Sequence, residues 1–425
     1  MTSIHSVRAR VLAILTGLIL ALILLTPAGA AASIATRIAA ALTERGLAGP
    51  GTSVGAYDLT EKRCLYSLRW DALRLPASNE KLVTSATALA NWSAKYRFGT
   101  QLLLQTTGPG QNGVLSGNVY LRGLGDPSLS TTSFQTDHLG LQTSNVRDLV
   151  TRMKALGVTK VTGRVVADDG RFDRSRTVSS WRSSMTAFCG PLSALTLNEG
   201  FGPGGDYVRD PSLWAAAKLT KLLRSAGIQV THSAARGTTP AAATLVYTER
   251  SATLGHLLGA MNKPSDNFFA EELLKGLGAS FGGAGTTAAG ADVAKEYLKS
   301  IGVTKGFRIR DGSGLSYANK LSAHAIIKIL GAMTRRTDFT VFWSSLSVAG
   351  VDGTLEDRMK GTTAARNVHA KTGTLDASSC LSGYVTSANR HALVFSILMN
   401  ASGLPIARAQ AAQDAIAVLL AGSSP

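Results

Sequence analysis

The stretch that decides the fold is LPASNEKLVTSATAL, residues 75–89, which predicts a loop leading into a helix. Pro76 marks the loop, and the residues from Glu80 onward are mostly good helix formers. Residues three apart share one face of a helix, so we expect Ser78 and Lys81 to point the same way. A serine at a helix N-terminus, beside a lysine that burial can deprotonate, is a nucleophile with its base. Alone the pattern has a chance alternative, because about one Ser-x-x-Lys match is expected in a chain of this size.

The second motif is Ser265-Asp266-Asn267. Pro264 precedes it and favours a loop, whereas residues 268–275 are typical of a helix. A loop between two helices can present Ser265 and Asn267 to a cleft. Asp266 is interpreted as structural, since a carboxylate between those two side chains would point away from them. The alternative for Asn267 is a hydrogen bond that only stabilises the loop.

The third motif is Lys371-Thr372-Gly373, followed by Thr374. It lies in residues 368–375, whose flanks predict a strand, and Gly373 would let the backbone of a ligand come close. Together the three motifs, in this order on helix, loop and strand, are the set found in class A β-lactamases and penicillin-binding proteins.

The chain resembles the low-molecular-mass class C penicillin-binding proteins, of the D-alanyl-D-alanine carboxypeptidase and endopeptidase type. Four further stretches carry the resemblance: GNVYLRGLGDP at 117–127, PLSALTLNE at 191–199, DGSGLS at 311–316 and GVDGTL at 350–355. The family usually has a tyrosine two or three residues before Pro191, where this chain has Phe188-Cys189-Gly190. This departure leaves open the substrate contact that the tyrosine makes.

The resemblance implies serine acyl transfer on peptidoglycan stem peptides and covalent inhibition by β-lactams. Ser78 would attack the D-alanyl-D-alanine carbonyl while Lys81 takes its proton. Ser265 and Lys371 would relay a proton to the leaving amine, and Asn267 would hold the substrate amide. The backbone N–H groups of Ser78 and Thr374 would stabilise the oxyanion. The substrate-binding residues are expected to be Thr372, Gly373, Thr374 and Asp126.

Two of these assignments keep a structural alternative. Asp126 could contact a free amine of the substrate, or it could cap its own turn before Pro127. Thr372 would receive the substrate carboxylate together with Lys371, or it is an ordinary strand residue.

Two other functions remain as alternatives. A serine β-lactamase uses the same motifs, but class A enzymes need a dedicated glutamate for deacylation. None of Glu271, Glu272 and Glu356 is placed for that role by the sequence. A catalytically inactive scaffold that binds the envelope has no need of the intact motif residues.

Strands at both ends of the chain predict an α/β fold of the α+β type. We expect these end strands to share one sheet, which in the resembled family is antiparallel, five-stranded and flanked by helices. The predicted strands are 52–58, 63–68, 367–375, 380–386 and 392–399, and the predicted outer helices are 34–47 and 406–420.

Three segments follow from this pattern. Residues 33–96 and 246–425 would form the acyl-transferase (penicillin-binding) domain, and residues 97–245 would form one or more inserted β-rich domains. Predicted elements of the inserted region are strands 102–106, 114–122 and 161–168 and helices 146–155 and 214–224.

Residues 1–32 predict a signal peptide. They hold no acidic side chain, and Arg8 and Arg10 precede an apolar run at 11–25. That run is shorter than the roughly 20 residues that span a bilayer, and Ala28-Gly29-Ala30 fits a cleavage site. The mature protein is thus expected to be exported, periplasmic or extracellular, and not membrane-spanning. The alternative is an uncleaved N-terminal anchor.

The net charge of +17 favours anionic partners, for which the cell envelope is the obvious source. Nucleic acid is disfavoured, because the basic residues are dispersed and form no recognisable binding motif. Cys64, Cys189 and Cys380 are too few for a disulfide framework. No Cys/His cluster has metal-ligand spacing, so we predict no metal and no cofactor. The oligomeric state stays open.

Overall fold

The computed structural model describes residues 32–425. The predicted signal peptide lies outside the described residues except for Ala32, its last residue. Within the described part of the chain, no helix is both long enough and apolar enough to cross a membrane. Cys64, Cys189 and Cys380 are all free thiols.

A six-stranded antiparallel sheet, here called the main sheet, joins the two ends of the chain. The first strand, Thr52–Asp58, pairs with the last, Ala392–Asn400, and this confirms the predicted shared sheet. In spatial order the strands are Ser347–Val348, His369–Leu375, Ser378–Thr386, Ala392–Asn400, Thr52–Asp58 and Arg63–Leu68. The resemblance implied five strands. The sixth is the edge strand Ser347–Val348, which is too short to be predicted from the sequence.

Both faces of the main sheet are covered, so the residues of its central strands are buried on both sides. In Ala392–Asn400, alternate side chains such as Phe395 and Ile397 pack into one core, and Val394 and Leu398 pack into another. The helices Ile34–Glu44 and Ile406–Ala421 cover the first face and contact each other. The α+β fold predicted from the sequence is therefore confirmed.

The opposite face is covered by a group of helices around Glu80–Asn91, which we call the serine helix. All but its two C-terminal residues are buried, because its neighbours surround it. Those neighbours and the remaining helices of this layer are Leu254–Asn262, Asn267–Phe281, Thr287–Ser300, Ala323–Met333 and Phe339–Ser345. A two-stranded sheet, Phe307–Arg308 with Lys320–Leu321, lies beside them.

The inserted region builds its own five-stranded mixed sheet, here called the insert sheet. Its strands in order are Thr244–Arg250, Gly99–Leu104, Val119–Gly123, Val165–Asp168 and Ala235–Arg236. The helices Val146–Ala155 and Pro211–Ser225 pack on one face over an apolar core. The last strand of the insert sheet extends to Arg250, past the predicted domain boundary at residue 245. The domain boundaries at residues 97 and 245 remain a prediction.

Two predicted strands of this region are each divided in two. The run 114–122 forms Val114–Leu115 and Val119–Gly123, and the run 161–168 forms Lys160–Val161 and Val165–Asp168. The short first halves pair in a separate three-stranded parallel sheet with Gln229–Val230. The chain passes from one sheet to the other at Gly117, whose φ is +98°, and again at Gly163. The two glycines are in close contact, because a Cβ on Gly163 would lie 2.4 Å from the Gly117 oxygen. Propensity alone could not show this break.

Candidate active site

The first motif lies where a short 3-10 turn, Ala77–Asn79, leads into the serine helix. Ala77 has a φ of +46°, a conformation that is strained for a residue with a Cβ. Two glycines make room for this turn. A Cβ on Gly314 would lie 1.9 Å from the Ala77 oxygen, and one on Gly373 would lie 2.9 Å from the Ser78 nitrogen. The close approach expected at Gly373 is thus made by the protein's own backbone.

Lys81 is fully buried and sits at the centre of the site. Its Nζ donates to Ser78 Oγ at 3.0 Å, to Asn267 Oδ1 at 2.7 Å and to the Ser313 carbonyl at 2.9 Å. Burial lowers the pKa of Lys81 to about 8, although the nearby carboxylates of Asp266 and Asp311 act in the opposite direction. With this pKa about one-tenth of the amine is neutral at pH 7, and that neutral form can accept a proton.

The second motif lies at the start of the helix Asn267–Phe281, as the sequence predicted. Asp266 caps this helix, because its Oδ1 accepts from the Phe269 N–H at 2.7 Å. Ser265, which precedes the helix, has a φ of +67°, a conformation that is strained for a residue with a Cβ. Asn267 reaches back to Lys81 with its Oδ1 and donates from Nδ2 to the Phe188 carbonyl at 2.9 Å.

The third motif lies on the strand His369–Leu375 of the main sheet. Lys371 is fully buried, and its Nζ donates to the Thr372 carbonyl at 3.2 Å. Burial, together with the charge of Lys81, holds the pKa of Lys371 well below its usual range. The Thr372 hydroxyl donates to the Thr354 hydroxyl at 2.7 Å.

A cavity of about 310 Å³ opens over Ser78. Of the predicted residues, Ser78, Ser265, Asn267 and Thr374 line it. Lys81 and Lys371 lie beneath it, buried. The inserted region contributes Met185 and Phe188, and Phe188 keeps 60% of its surface exposed. Phe188 therefore faces the cleft at the place where the resembled family has its tyrosine.

Asp126, Thr372 and Gly373 do not line this cavity. Thr372 and Gly373 lie on the strand that carries Thr374, whereas Asp126 lies in the inserted region. Asp126 is 2% exposed, and both of its oxygens are engaged. Oδ1 accepts from the Ser128 N–H and hydroxyl at 2.9 and 2.7 Å, and Oδ2 accepts from the Ser144 hydroxyl at 2.6 Å. This arrangement favours the alternative in which Asp126 caps its own turn.

The loop of residues 311–316, one of the stretches that carry the family resemblance, supports the site. The Ser313 carbonyl is one of the three acceptors of Lys81. Asp311 holds the loop by accepting from the Gly314 N–H at 2.9 Å, and Glu271 accepts from the Ser313 N–H at 2.8 Å. Burial raises the pKa of Glu271 to about 8. The signal in the sequence was the small residues 312–314, which let the loop come close to the serine turn.

The glutamates near the second motif have structural partners. Glu271 holds loop 311–316, and Glu272 Oε1 accepts from the Ser193 N–H at 2.9 Å. In the described chain, the cavity over Ser78 has one acidic lining residue, Asp376, and no glutamate. No group of three or more metal-ligating side chains is present in residues 32–425.

A protein-family model and a curated relative both match most of this chain. The family model described as "D-Ala-D-Ala carboxypeptidase 3 (S13) family" matches residues 34–203 and 205–422. A D-alanyl-D-alanine carboxypeptidase of Actinomadura sp. (strain R39) is 31% identical over 90% of this chain and 84% of its own length.

The fold of this chain is also similar to that of a protein whose crystal structure has been solved. The crystal structure of penicillin binding protein 4 from Haemophilus influenzae has a TM-score of 0.74 at 20% identity, covering 89% of this chain and 97% of that chain. The same protein in complex with a β-lactam has a TM-score of 0.72 at 21% identity, covering 88% and 97%.

Proposed function

Since the chain belongs to the D-Ala-D-Ala carboxypeptidase 3 (S13) family, we propose that it is a serine D-alanyl-D-alanine carboxypeptidase with Ser78 as its nucleophile. The observation that carries this assignment is the 3.0 Å contact between Ser78 Oγ and Lys81 Nζ under an open cavity. A nucleophile, a base with a lowered pKa and an orienting amide are thus held together.

In the acylation step, Ser78 Oγ forms a bond to the carbonyl carbon of the penultimate D-alanine. Lys81 takes the hydroxyl proton, and the carbonyl oxygen becomes an oxyanion beside the backbone N–H groups of Ser78 and Thr374. The peptide C–N bond then breaks. The proton passes through Ser265, with Lys371 proposed as its partner in the relay, to the amine of the departing D-alanine.

Deacylation reverses these roles. Water attacks the ester carbonyl and loses its proton to a neutral base, and Ser78 regains its hydroxyl as the shortened peptide leaves. Asn267 is proposed to hold the substrate amide, while Lys371 and Thr372 receive its carboxylate. A Thr372 that turns its hydroxyl from Thr354 to the substrate exchanges one hydrogen bond for a charge-assisted one.

Penicillin presents its β-lactam carbonyl to Ser78 in place of the peptide carbonyl. A solved structure with this fold is a β-lactam complex. The acyl-enzyme is expected to persist, because the glutamates that could activate water are held by the Ser313 and Ser193 backbone. This feature separates the proposed peptidase from a class A β-lactamase.

The inserted region, proposed to span residues 97–245, would shape access to the cleft. Met185 and Phe188 support this proposal, since both line the cavity over Ser78. We also propose that the protein acts on peptidoglycan stem peptides outside the cytoplasmic membrane after removal of residues 1–32. N-terminal sequencing of the protein recovered from the envelope tests the cleavage.

Intact-mass analysis after incubation with a fluorescent penicillin tests the proposal. We expect one covalent equivalent that persists for many minutes in the wild type and is absent in Ser78→Ala. A peptide that ends in D-Ala-D-Ala should lose one D-alanine, and a cross-linked peptide tests endopeptidase action at the same site. Loss of the label within seconds, with release of hydrolysed drug, would identify a β-lactamase. A folded protein that takes no label would identify a scaffold.

A further inference from the structure

A second cavity lies at the other end of the serine helix from Ser78. It has a volume of about 170 Å³, and its lining includes Arg97, Arg171 and Arg250. We call it the arginine pocket. The serine helix has 12 residues and is therefore about 18 Å long. Because Ser78 precedes this helix and Arg97 follows it, the arginine pocket is separate from the catalytic cleft.

Strand register explains why the cationic groups collect there. In the insert sheet, Arg250 lies opposite Gly99, and Thr248 lies opposite Gln101. Gln101 is in turn opposite Arg122 on the next strand. Residues that are directly opposite share one face of a sheet, so these side chains form one polar face.

The pocket exists because Gly99 has no side chain. A Cβ at this position would lie 2.9 Å from Thr248 Cγ2 and 3.9 Å from Leu124 Cδ1, and both of these residues line the pocket. Any larger residue would therefore fill part of the space between the arginines.

No ion pair neutralises Arg97, Arg122, Arg171 or Arg250 within residues 32–425. The acceptors that hold these guanidinium groups are neutral. Arg97 donates to the Ser251 carbonyl at 2.7 Å, and Arg171 donates to Ser280 Oγ at 2.8 Å. Arg122 donates to Gln101 Oε1 at 2.9 and 2.6 Å.

The carboxylates nearest in register are already engaged. Asp168 lies opposite Arg122, but its oxygens accept from the Gly170 and Thr239 N–H groups at 3.0 and 2.8 Å. Glu249 alternates onto the other face of the sheet, where it accepts from the Tyr247 hydroxyl and the Asn145 N–H. Within residues 32–425, neither carboxylate forms an ion pair with an arginine of the pocket, so the guanidinium groups keep donors free for a ligand.

We propose that the arginine pocket binds a phosphate group. Guanidinium groups match phosphate oxygens in bidentate geometry, and several converging arginines suit an anion with more than one charge. The Thr248 hydroxyl adds a neutral donor to the lining. The pocket also lies between the proposed acyl-transferase domain and the inserted region. Arg97 lies where the chain enters the inserted region, and Arg250 lies where it leaves. A bound phosphate would tie these two points together and stabilise the fold.

Isothermal titration with inorganic phosphate, at constant ionic strength set by chloride, tests the proposal. We expect saturable binding of one phosphate per chain and a higher melting temperature. Arg250→Gln and Arg171→Gln should each weaken binding about 10- to 100-fold, the usual effect of losing a charge-assisted contact. Gly99→Ala should also weaken binding while it keeps every arginine.

Arg63→Gln is the matched control, since Arg63 is an exposed arginine on the edge strand of the main sheet. It removes the same charge and should leave phosphate affinity unchanged. Penicillin acylation at the wild-type rate shows that each variant is folded. An equal affinity in Arg250→Gln and wild type, or an equal loss in Arg63→Gln, would overturn the proposal.

A phosphate group can belong to a soluble molecule or to a lipid headgroup. Glycerol phosphate and vesicles of phosphatidylglycerol distinguish the two sources. Arg250-dependent binding of either probe supports the site. Binding of glycerol phosphate indicates a soluble ligand, and binding of the vesicles indicates a lipid headgroup. If neither probe nor inorganic phosphate binds in an Arg250-dependent way, the pocket is not a phosphate site.

Discussion

The two ends of the serine helix carry two kinds of cationic cluster. Near its N-terminal end, Lys81 and Lys371 are fully buried, and burial lowers the pKa of both. Near its C-terminal end, Arg97 and Arg250 are exposed, and Arg171 is partly so. A lysine can lose its proton when it is desolvated, whereas an arginine stays charged. This difference in residue type fits the two proposed tasks, which are proton transfer in the cleft and anion binding in the arginine pocket.

Exchanging the residue types at the two ends is the strongest test of this comparison. Lys81→Arg keeps the charge but removes the amine that contacts Ser78 Oγ and can become neutral to accept its proton. Acylation by penicillin should fall about 10²- to 10⁴-fold, the usual contribution of a general base. Stopped-flow labelling with fluorescent penicillin measures the rate, and the thermal unfolding curve checks the fold. Retention of most of the activity would remove Lys81 from the mechanism.

The pH dependence of acylation sharpens the same point. The pKa of Lys81 is lowered to about 8, and only the neutral amine accepts a proton. The acylation rate should therefore rise about tenfold per pH unit below pH 8 and level off above it. Labelling rates between pH 6 and pH 9.5 give the profile. A rate that is flat across this range would contradict a lysine base.

The reverse exchange, Arg250→Lys, tests the other end of the helix. Lysine keeps the charge but cannot make a bidentate contact, so phosphate affinity should fall about tenfold. The rate of penicillin acylation should not change. Titration calorimetry and the labelling assay measure the two effects. An unchanged affinity would show that net charge, rather than guanidinium geometry, controls binding.

Asp126 provides the smallest expected effect on the reaction. Asp126→Asn should leave penicillin acylation nearly unchanged, because Asp126 does not line the cavity over Ser78. It weakens the contacts to Ser128 and Ser144, which should cost about 1–3 kcal/mol of unfolding free energy. Chemical denaturation measures this cost, and peptide hydrolysis is assayed beside it. A selective loss of peptide hydrolysis at unchanged stability would instead assign Asp126 to the substrate.

Local sequence patterns were enough to give the bounds of several elements. The strands Thr52–Asp58 and Arg63–Leu68 and the helix Val146–Ala155 have the predicted bounds. The signals for these bounds are turn residues and side-chain spacing within the segments themselves, so they depend only on neighbouring residues. The three motifs were also identified from local residues, because each lies on one turn, loop or strand.

Only the tertiary structure decided how these pieces meet. The positive φ of Ala77 and Ser265 is imposed by packing, since neither residue prefers that conformation by itself. The lowered pKa of Lys81 comes from burial by helices that lie far apart in the chain. The division of run 114–122 between two sheets and the grouping of Arg97, Arg171 and Arg250 also depend on long-range pairing. Such contacts join residues whose separation in the chain carries no local signal, so only the folded structure could reveal them.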